Sequence, residues 1–359
     1  TLESQSPPCM ASKAPLGFGI IGLGLIADFH ARAIAEAAGA KLVAVCGRDA
    51  GKARAFAANY GENIFSTNDL SALLARPDVE AVCIATPSGA HLEPTLAAAR
   101  AGKHIVIEKP IEITLARMDE LLAGVAATGV KLMPIFQARF GEGARTVKAA
   151  VNAGRLGRLS LASAYVKWQR TPAYYADSWH GTFALDGGGA LINQAIHAID
   201  LLQWFAGLPT EIFSWNTRRV HTGIEVEDTA VATLRYADGA LGTIEATTAA
   251  FPGWARRIEL CGENGSIVLE DDRIIRWDFR IPQLGDEAIL SAKADDSMRS
   301  GAGSPGAMSH QGHLRQIENL VAAIREGASL AVDGPEARKA VALILALYRS
   351  AQSGQSVHL

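Results

Sequence analysis

Cysteine, excess charge of either sign and long apolar runs are all scarce in this chain, and each shortage excludes something. Four cysteines occur in 359 residues, Cys9, Cys46, Cys83 and Cys261. They are scattered and lack CxxC spacing, so the pattern holds neither a disulfide framework nor a thiolate metal or redox motif. Cys46 and Cys83 sit inside apolar runs that read as buried strands, the usage of a reducing compartment. The formal net charge is −3, without the basic excess of a nucleic-acid binder. The leader TLESQSPPCMASKAPL has no apolar stretch and no twin arginine, so it reads as neither secretory signal nor anchor. A cytoplasmic protein with no membrane partner and no nucleic-acid partner is expected. Small molecules are the default ligands.

The rest is ordinary for a folded protein, with 49% hydrophobic and 20% charged residues, far from a disordered or fibrous composition. At roughly 100 to 200 residues per domain, the length implies two domains. From Gly17 to about Ile135, the apolar runs FGIIGLG, KLVAVCG, AVCIATP, HIVIEKP and KLMPIFQ alternate with Ala-rich helical stretches. Continuous apolar runs mark strands buried on both faces, and their alternation with helices implies a parallel, doubly wound sheet. After Gln137 the texture changes. A helix near GARTVKAAVNAGRLG and a strand at SLASAYVKWQR lead to a glycine-led helix and then to longer alternating strands, with hairpin signals at Asp238-Gly239 and Asn264-Gly265. This half reads as an open, largely antiparallel sheet with helices on one face. The polar, Gly- and Ser-rich stretch from Ser291 to Ser309 reads as a mobile loop. Two helices, HLRQIENLVAAIREG and PEARKAVALILALYRSAQSG, close the chain, and no internal repeat is visible.

GFGIIGLGLIADFHARAIAEA places Gly22, Gly24 and Ala27 in GxGxxA spacing between a strand and a helix. The first glycine permits a tight turn, the second lets backbone approach a pyrophosphate, and the small third residue lets the helix pack close to the strand. Leu25 and Ile26 begin that helix and are candidate cofactor contacts. At the end of the second strand, where an acid would bind the ribose 2′-hydroxyl of NAD, stand Gly47 and Arg48, with Asp49 late. Arg48 either grips a 2′-phosphate, which tilts the reading towards NADP, or is a solvated loop residue beside a helix-capping Asp49. The expected cofactor is therefore NAD or NADP.

DGGGALINQAIHAIDLLQW runs three glycines into an apolar helix carrying Asn193, His197 and Asp200. On a regular helix, residues three and four apart share a face, so these form one polar stripe. Asp200 reads as structural.

GLGLIA, ATPSGAH, EKP, GRLG, the glycine-led helix and the closing ALYRSAQSG, in that order, resemble the Gfo/Idh/MocA oxidoreductases from about Phe18 to the C-terminus. The resemblance implies an α/β protein: an N-terminal Rossmann doubly wound parallel sheet plus a C-terminal α+β domain with an open, largely antiparallel sheet. It divides the chain into a leader at 1–15, a dinucleotide-binding domain at 16–136 and a substrate-binding and oligomerisation domain at 137–359. A homodimer or homotetramer is expected. The family's EKP lysine falls on Lys109 and its active-site histidine on His197, and the glycines would let the chain come close to cofactor and substrate. Thr86, Pro87, His91 and Glu108 join Lys109 as candidate cofactor contacts. The family commonly has aspartate four residues before the histidine. This chain has Asn193, which would orient the imidazole without raising its basicity.

Oxidising a secondary alcohol removes a hydride to nicotinamide C4 and a proton from the hydroxyl, so a base and a cation must converge on one oxygen. His197 fits the base, its ordinary pKa lying near working pH, and Lys109 fits the cation. The reverse allocation, with Lys109 shuttling the proton, stays open. VKWQRTPAYYADSWHGTF gathers Trp168, Arg170, Tyr174, Tyr175, Trp179 and His180, rings and donors that suit a carbohydrate. Arg170, Tyr175, Trp179 and His180 are the candidate substrate contacts, and Arg139 of FQARF adds a cation for a uronate or a nucleotide sugar. His310 and His313 would form a metal pair only with carboxylate help, so no metal is expected. The expected function is an NAD(P)-dependent dehydrogenase acting on a CH–OH group of a sugar, cyclitol or sugar derivative. Its alternatives are a redox-neutral NAD-dependent glycosidase or epimerase and a non-catalytic nucleotide sensor.

Overall fold

The computed structural model describes residues 14–176, 179–292, 298, 301–303 and 309–359. Most of the expected leader, Cys9 and most of the loop expected at 291–309 lie outside the described residues. The first half runs β1 (Leu16–Ile21), α1 (Leu25–Glu36), β2 (Ala40–Cys46), α2 (Ala50–Ala58), β3 (Phe65–Thr67), α3 (Leu70–Leu74), β4 (Ala81–Ile84), α4 (Leu92–Arg100), β5 (His104–Ile107), α5 (Leu115–Ala126) and β6 (Leu132–Pro134). Its strands form one parallel sheet in the order β3-β2-β1-β4-β5-β6. β1 and β4 are buried along their whole length, as strands covered on both faces must be. Asp49 caps α2 by accepting the Lys52 N–H at 2.7 Å. The three-residue edge strand β3 is too short to register as an apolar run. Strand order reverses between β1 and β4, so the loops leaving their C-terminal ends part and open a crevice, the usual ligand position in such a sheet.

The second half runs α6 (Glu142–Asn152), β7 (Leu159–Lys167), α7 (Pro172–Tyr175), α8 (Ile196–Ala206), β8 (Glu211–Thr217), β9 (Thr229–Arg235), β10 (Leu241–Thr247), β11 (Arg257–Gly262), β12 (Gly265–Glu270), β13 (Arg273–Phe279), α9 (Asp286–Ser291), α10 (Gln311–Arg325), α11 (Gly334–Ser353) and β14 (Val357–His358). The eight strands lie in the order β13-β12-β11-β7-β10-β9-β8-β14, with the central β7–β10 pair parallel and the other neighbours antiparallel. Both expected hairpins form, β9–β10 around Asp238-Gly239 and β11–β12 around Asn264. β9 alternates exposed and buried residues, because only one face of this sheet packs on helices, chiefly α8 and α11. α10 departs from its sequence neighbours. Its Ile317, Leu320 and Val321 join Leu16, Phe18 and Ile34 in the core of the first half, so segment 137–359 returns a helix to the nucleotide side.

Arg139, in the short helical turn after β6, donates from Nε and Nη2 to the two carboxylate oxygens of Asp200 on α8, each at 2.7 Å, and from Nη1 to Glu336 on α11 at 3.2 Å. Both side chains of the Arg139–Asp200 pair are buried. The expected substrate role of Arg139 is corrected on this point: the bidentate fork is already occupied, and the guanidinium ties three elements together. Arg139→Leu would leave the Asp200 carboxylate buried without its partner. Urea unfolding should then show a loss of about 3–5 kcal/mol, with substrate KM unchanged in the folded enzyme. A large rise in KM at full stability would restore Arg139 to the substrate site.

Candidate active site

The crevice is built from backbone first. Gly22 has φ +92°, and a Cβ there would lie 2.6 Å from the Ala85 carbonyl oxygen, so only glycine lets the turn after β1 touch the turn after β4. Gly24 caps α1 without any side-chain hydrogen bond, and a Cβ on it would meet nothing within 4 Å. The start of α1 thus has no side-chain cap and is open beside Gly24, which fits the diphosphate of a dinucleotide. Leu25 is exposed and Ile26 half-buried at this helix start, while Thr86 and Pro87 are half-buried in the turn after β4. Arg48 is exposed at the end of β2.

His91 and Glu108 turn inward and are corrected from cofactor contacts to braces behind the crevice. The His91 ring bridges the Pro110 carbonyl, 2.8 Å from Nδ1, and the Thr86 carbonyl, 2.9 Å from Nε2. Burial holds its pKa below the ordinary value against the pull of those carbonyls. One carboxylate oxygen of Glu108 accepts from His30 Nε2 at 2.9 Å and His313 Nε2 at 3.1 Å, and the other accepts the Lys109 N–H at 3.2 Å. Burial works to raise the Glu108 pKa, but the hydrogen bonds from the two histidines prevail and hold the carboxyl well below the usual range. The trio is a buried nitrogen and oxygen set whose ligand atoms lie within 4.8 Å of one another. Metal-bound imidazoles normally donate their second N–H to a partner, whereas Nδ1 of His30 and of His313 has none among the described residues. The hydrogen bonds of the trio join α1, the turn after β5 and α10. His310 goes elsewhere, to Glu36 at 2.7 Å, so it does not pair with His313.

In the second domain, the expected continuous helix is interrupted. Ala190–Gln194 forms a wide π-helical turn, and α8 starts only at Ile196. The altered winding changes the directions of the side chains, and the single polar stripe separates. Asn193 donates from Nδ2 to the carboxylate of Asp186, His197 stands edge-on to the Phe136 ring at 5.9 Å, and Asp200 holds Arg139. Asn193 therefore does not orient the imidazole, whose buried Nδ1 has no partner among the described residues. The glycine run is likewise corrected. A Cβ at Gly187 would lie 2.5 Å from Ile113, at Gly188 2.3 Å from the Tyr348 hydroxyl, and at Gly189 1.8 Å from the Glu227 carbonyl oxygen. These glycines are required by the packing of protein on protein.

What the wide turn does bring to the first domain is a carbonyl group. Lys109 Nζ donates to the Asn193 backbone oxygen at 2.9 Å. Burial pulls the Lys109 pKa down, opposed by the carboxylates of Glu108 and Asp186. Burial also holds His197 well below its ordinary value, helped by the positive charges of Lys109 and Arg256. Burial thus works against the charged form of both groups, and for Lys109 the two carboxylates work against burial.

Asp186 is a residue the motifs did not single out. Beyond Asn193 it accepts the Gly181 N–H at 2.9 Å and lies 3.6 Å from His180 Nδ1. Around it gathers the aromatic stretch read as the substrate side. His180 stacks on Tyr174 at 4.4 Å and meets Trp179 at 3.9 Å, while the Tyr175 hydroxyl donates to Thr248 Oγ1 at 3.2 Å. Arg170 is buried between the rings of Trp168 and Tyr174, donating from Nη1 to the carbonyls of Gln169, Gly301 and Ala302.

A glycine-lined crevice at the reversal point of a parallel sheet, facing a lysine just after β5 and a histidine on α8 of the second domain, defines a dinucleotide-dependent oxidoreductase. Residues 16–136 match the model of the oxidoreductase family with an NAD-binding Rossmann fold, and residues 144–268 match the GFO/IDH/MocA C-terminal domain. The chain belongs to the Gfo/Idh/MocA oxidoreductases. It is 28% identical to the inositol 2-dehydrogenase of Rhizobium meliloti (strain 1021) over 95% of this chain and 98% of that one. It is 32% identical to inositol 2-dehydrogenase 2 of Paenarthrobacter aurescens (strain TC1) over 73% of this chain and 77% of the relative. The WlbA dehydrogenase from Bordetella pertussis, solved in complex with NADH and UDP-GlcNAcA, superposes with a TM-score of 0.84 at 30% identity, covering 96% of this chain and 99% of that one.

The two glycines of the crevice should separate in experiment. Gly24→Ala meets no neighbour, so it should leave stability within about 0.5 kcal/mol while lowering dinucleotide affinity about tenfold or more. Gly22→Ala should lose both. An unchanged affinity in Gly24→Ala, read by NADH fluorescence titration, would place the diphosphate elsewhere.

Proposed function

We propose that this protein moves a hydride between a nicotinamide dinucleotide and a secondary alcohol or ketone of a sugar or cyclitol bearing an anionic group, a uronate or a nucleotide sugar. The observation that carries the reading is the pairing of Lys109 with a neutral His197, one from each domain. A nicotinamide bound here would supply the hydride acceptor for the carbinol carbon. Lys109 donates to the substrate oxygen and stabilises the alkoxide as the proton departs. It has three N–H groups, and the Asn193 carbonyl occupies one. His197, unprotonated, accepts the proton.

Gly22, Gly24, Leu25, Ile26, Thr86 and Pro87 would hold the dinucleotide. Arg48, exposed where no acid meets the ribose, favours NADP; the NADH in the WlbA complex favours NAD. Arg170 supports an anionic substrate. Among the described residues it has no carboxylate within ion-pair distance and its buried Nε has no partner, so carbonyls and the Tyr174 side chain oppose the cost of burying its charge until an anion arrives. Tyr175, Trp179 and His180 add ring faces for the sugar, and the UDP-GlcNAcA of the WlbA complex belongs to the same chemical class.

The outer face of the second sheet carries exposed Leu161 beside Leu241 and Val231 beside Trp215. A second copy of the chain covering it would make the homodimer or homotetramer. Free, buried Cys46 and Cys83 suit the cytoplasm, and no helix among the described residues is long and apolar enough to cross a membrane.

Lys109→Met and His197→Ala should each keep NADH or NADPH affinity yet lose turnover by about 10²–10⁴-fold on a panel of uronates, UDP-sugars and inositols. Arg170→Met should raise KM for the anionic compounds alone. Near-wild-type rates in both of the first two variants would end this reading. Turnover with no change in nicotinamide absorbance would favour the redox-neutral enzyme.

A further inference from the structure

Glu227, in the segment between β8 and β9, is buried with its carboxylate facing donors only. Oε2 accepts the Gly189 N–H at 2.8 Å, and Oε1 accepts the Leu191 N–H at 2.9 Å and the Tyr348 hydroxyl of α11 at 2.9 Å. The Glu227 backbone carbonyl accepts the Ala190 N–H at 3.1 Å. Three consecutive N–H groups at the start of the π-helical turn, which a helix cannot satisfy from within, all reach this one residue, and the Gly189 N–H also reaches the Tyr348 hydroxyl at 3.3 Å. The same turn presents the Asn193 carbonyl to Lys109 Nζ.

We propose that Glu227 is a positioning residue for the dehydrogenase reaction: its carboxylate fixes the turn whose Asn193 carbonyl aims the Lys109 ammonium, and with Tyr348 it makes that aim depend on pH. This rests on the reading of Lys109 as the group that polarises the substrate oxygen.

The chemistry of the pocket sets the sign. Among the described residues no cation lies within ion-pair distance of Glu227, and the only titratable side chain hydrogen-bonded to it is Tyr348. The neighbouring Asp228 turns away to accept the N–H groups of Arg219, Val220 and His221. Burial raises the Glu227 pKa to about 7 despite its donors. Burial, with the charge of Glu227, pushes the Tyr348 hydroxyl well above its ordinary value, so it stays a donor. Above about pH 7 the carboxylate accepts from all three groups. Below it, the bound proton itself needs an acceptor, Tyr348 must reverse to supply one, and part of the grip on the turn is lost. The folded-state pKa is raised, so the stability contribution is full below the ordinary value of 4.5 and is lost as pH rises through about 7. Ionised Glu227 orders the turn while costing global stability, a familiar trade at functional sites.

The test has one arm with activity and one without. Turnover in the direction of alcohol oxidation should rise through a limb near the Glu227 pKa. Tyr348→Phe removes a donor to the charged form and should move that limb to higher pH. Glu227→Gln should abolish the limb and lower kcat about tenfold or more, with NADH affinity and thermal stability at alkaline pH retained. Independently, hydrogen exchange in the wild-type peptide spanning 187–195, corrected for intrinsic rates, should show protection that increases with pH through the same midpoint. An unshifted limb in Tyr348→Phe with wild-type kcat in Glu227→Gln would overturn the proposal, as would pH-independent protection. If Glu227→Gln does not fold, Tyr348→Phe and the exchange measurement decide. Protection that follows pH in a protein whose Lys109→Met variant remains fully active would break the reading of Lys109 and leave the clamp standing.

Discussion

One hydrogen bond, from the Lys109 ammonium to the Asn193 carbonyl, joins the two folds at the point where chemistry is expected. A buried ammonium is disfavoured unless opposite charge and acceptors surround it, and the chain supplies these from distant places. Glu108 stands beside it on the first sheet, Asp186 approaches from the second domain, and the carbonyl comes from a turn wound too wide to be ordinary helix. Each of these supports is itself held. Glu108 is fixed by His30 of α1 and His313 of α10, Asp186 by Asn193 and the Gly181 N–H, and the turn by Glu227.

This arrangement explains why α10 crosses back to the nucleotide side. Its apolar residues fill the core beneath α1, and His313 reaches Glu108 from that position. It also explains why His197 carries no acidic partner. Burial first, and then the charges of Lys109 and Arg256, hold the ring well below its ordinary pKa, which favours the neutral state a proton acceptor needs, and a carboxylate on Nδ1 would favour the charged form instead. Asn193 serves the site through its backbone oxygen to Lys109 and its side chain to Asp186, at some distance from the role its place in the motif suggests.

Much of this was legible in the residues. The parallel sheet, its glycine turn and the antiparallel hairpins follow from buried runs, GxGxxA spacing and Asp-Gly and Asn-Gly turns, all local signals. Lys109 and His197 were reached through a series of motifs in order. The rest depends on contacts between residues far apart in sequence. The π-helical turn cannot be told from a helix by spacing alone, so Asn193 and His197 were placed on one face. Arg139 looks like any cation near a cleft until Asp200 is seen against it. Asp186 and Glu227 are acids beside apolar segments, indistinguishable in sequence from solvated ones, and the reason for the three glycines lies in Ile113, Tyr348 and Glu227 on three other segments.

The most direct measurement is a crystal structure of the protein with oxidised cofactor and a carboxylated sugar that it oxidises. The account predicts one substrate hydroxyl oxygen within about 3.2 Å of both Lys109 Nζ and a His197 ring nitrogen, with Lys109 still donating to the Asn193 carbonyl. A reacting hydroxyl held by other side chains, with His197 facing only protein, would contradict it.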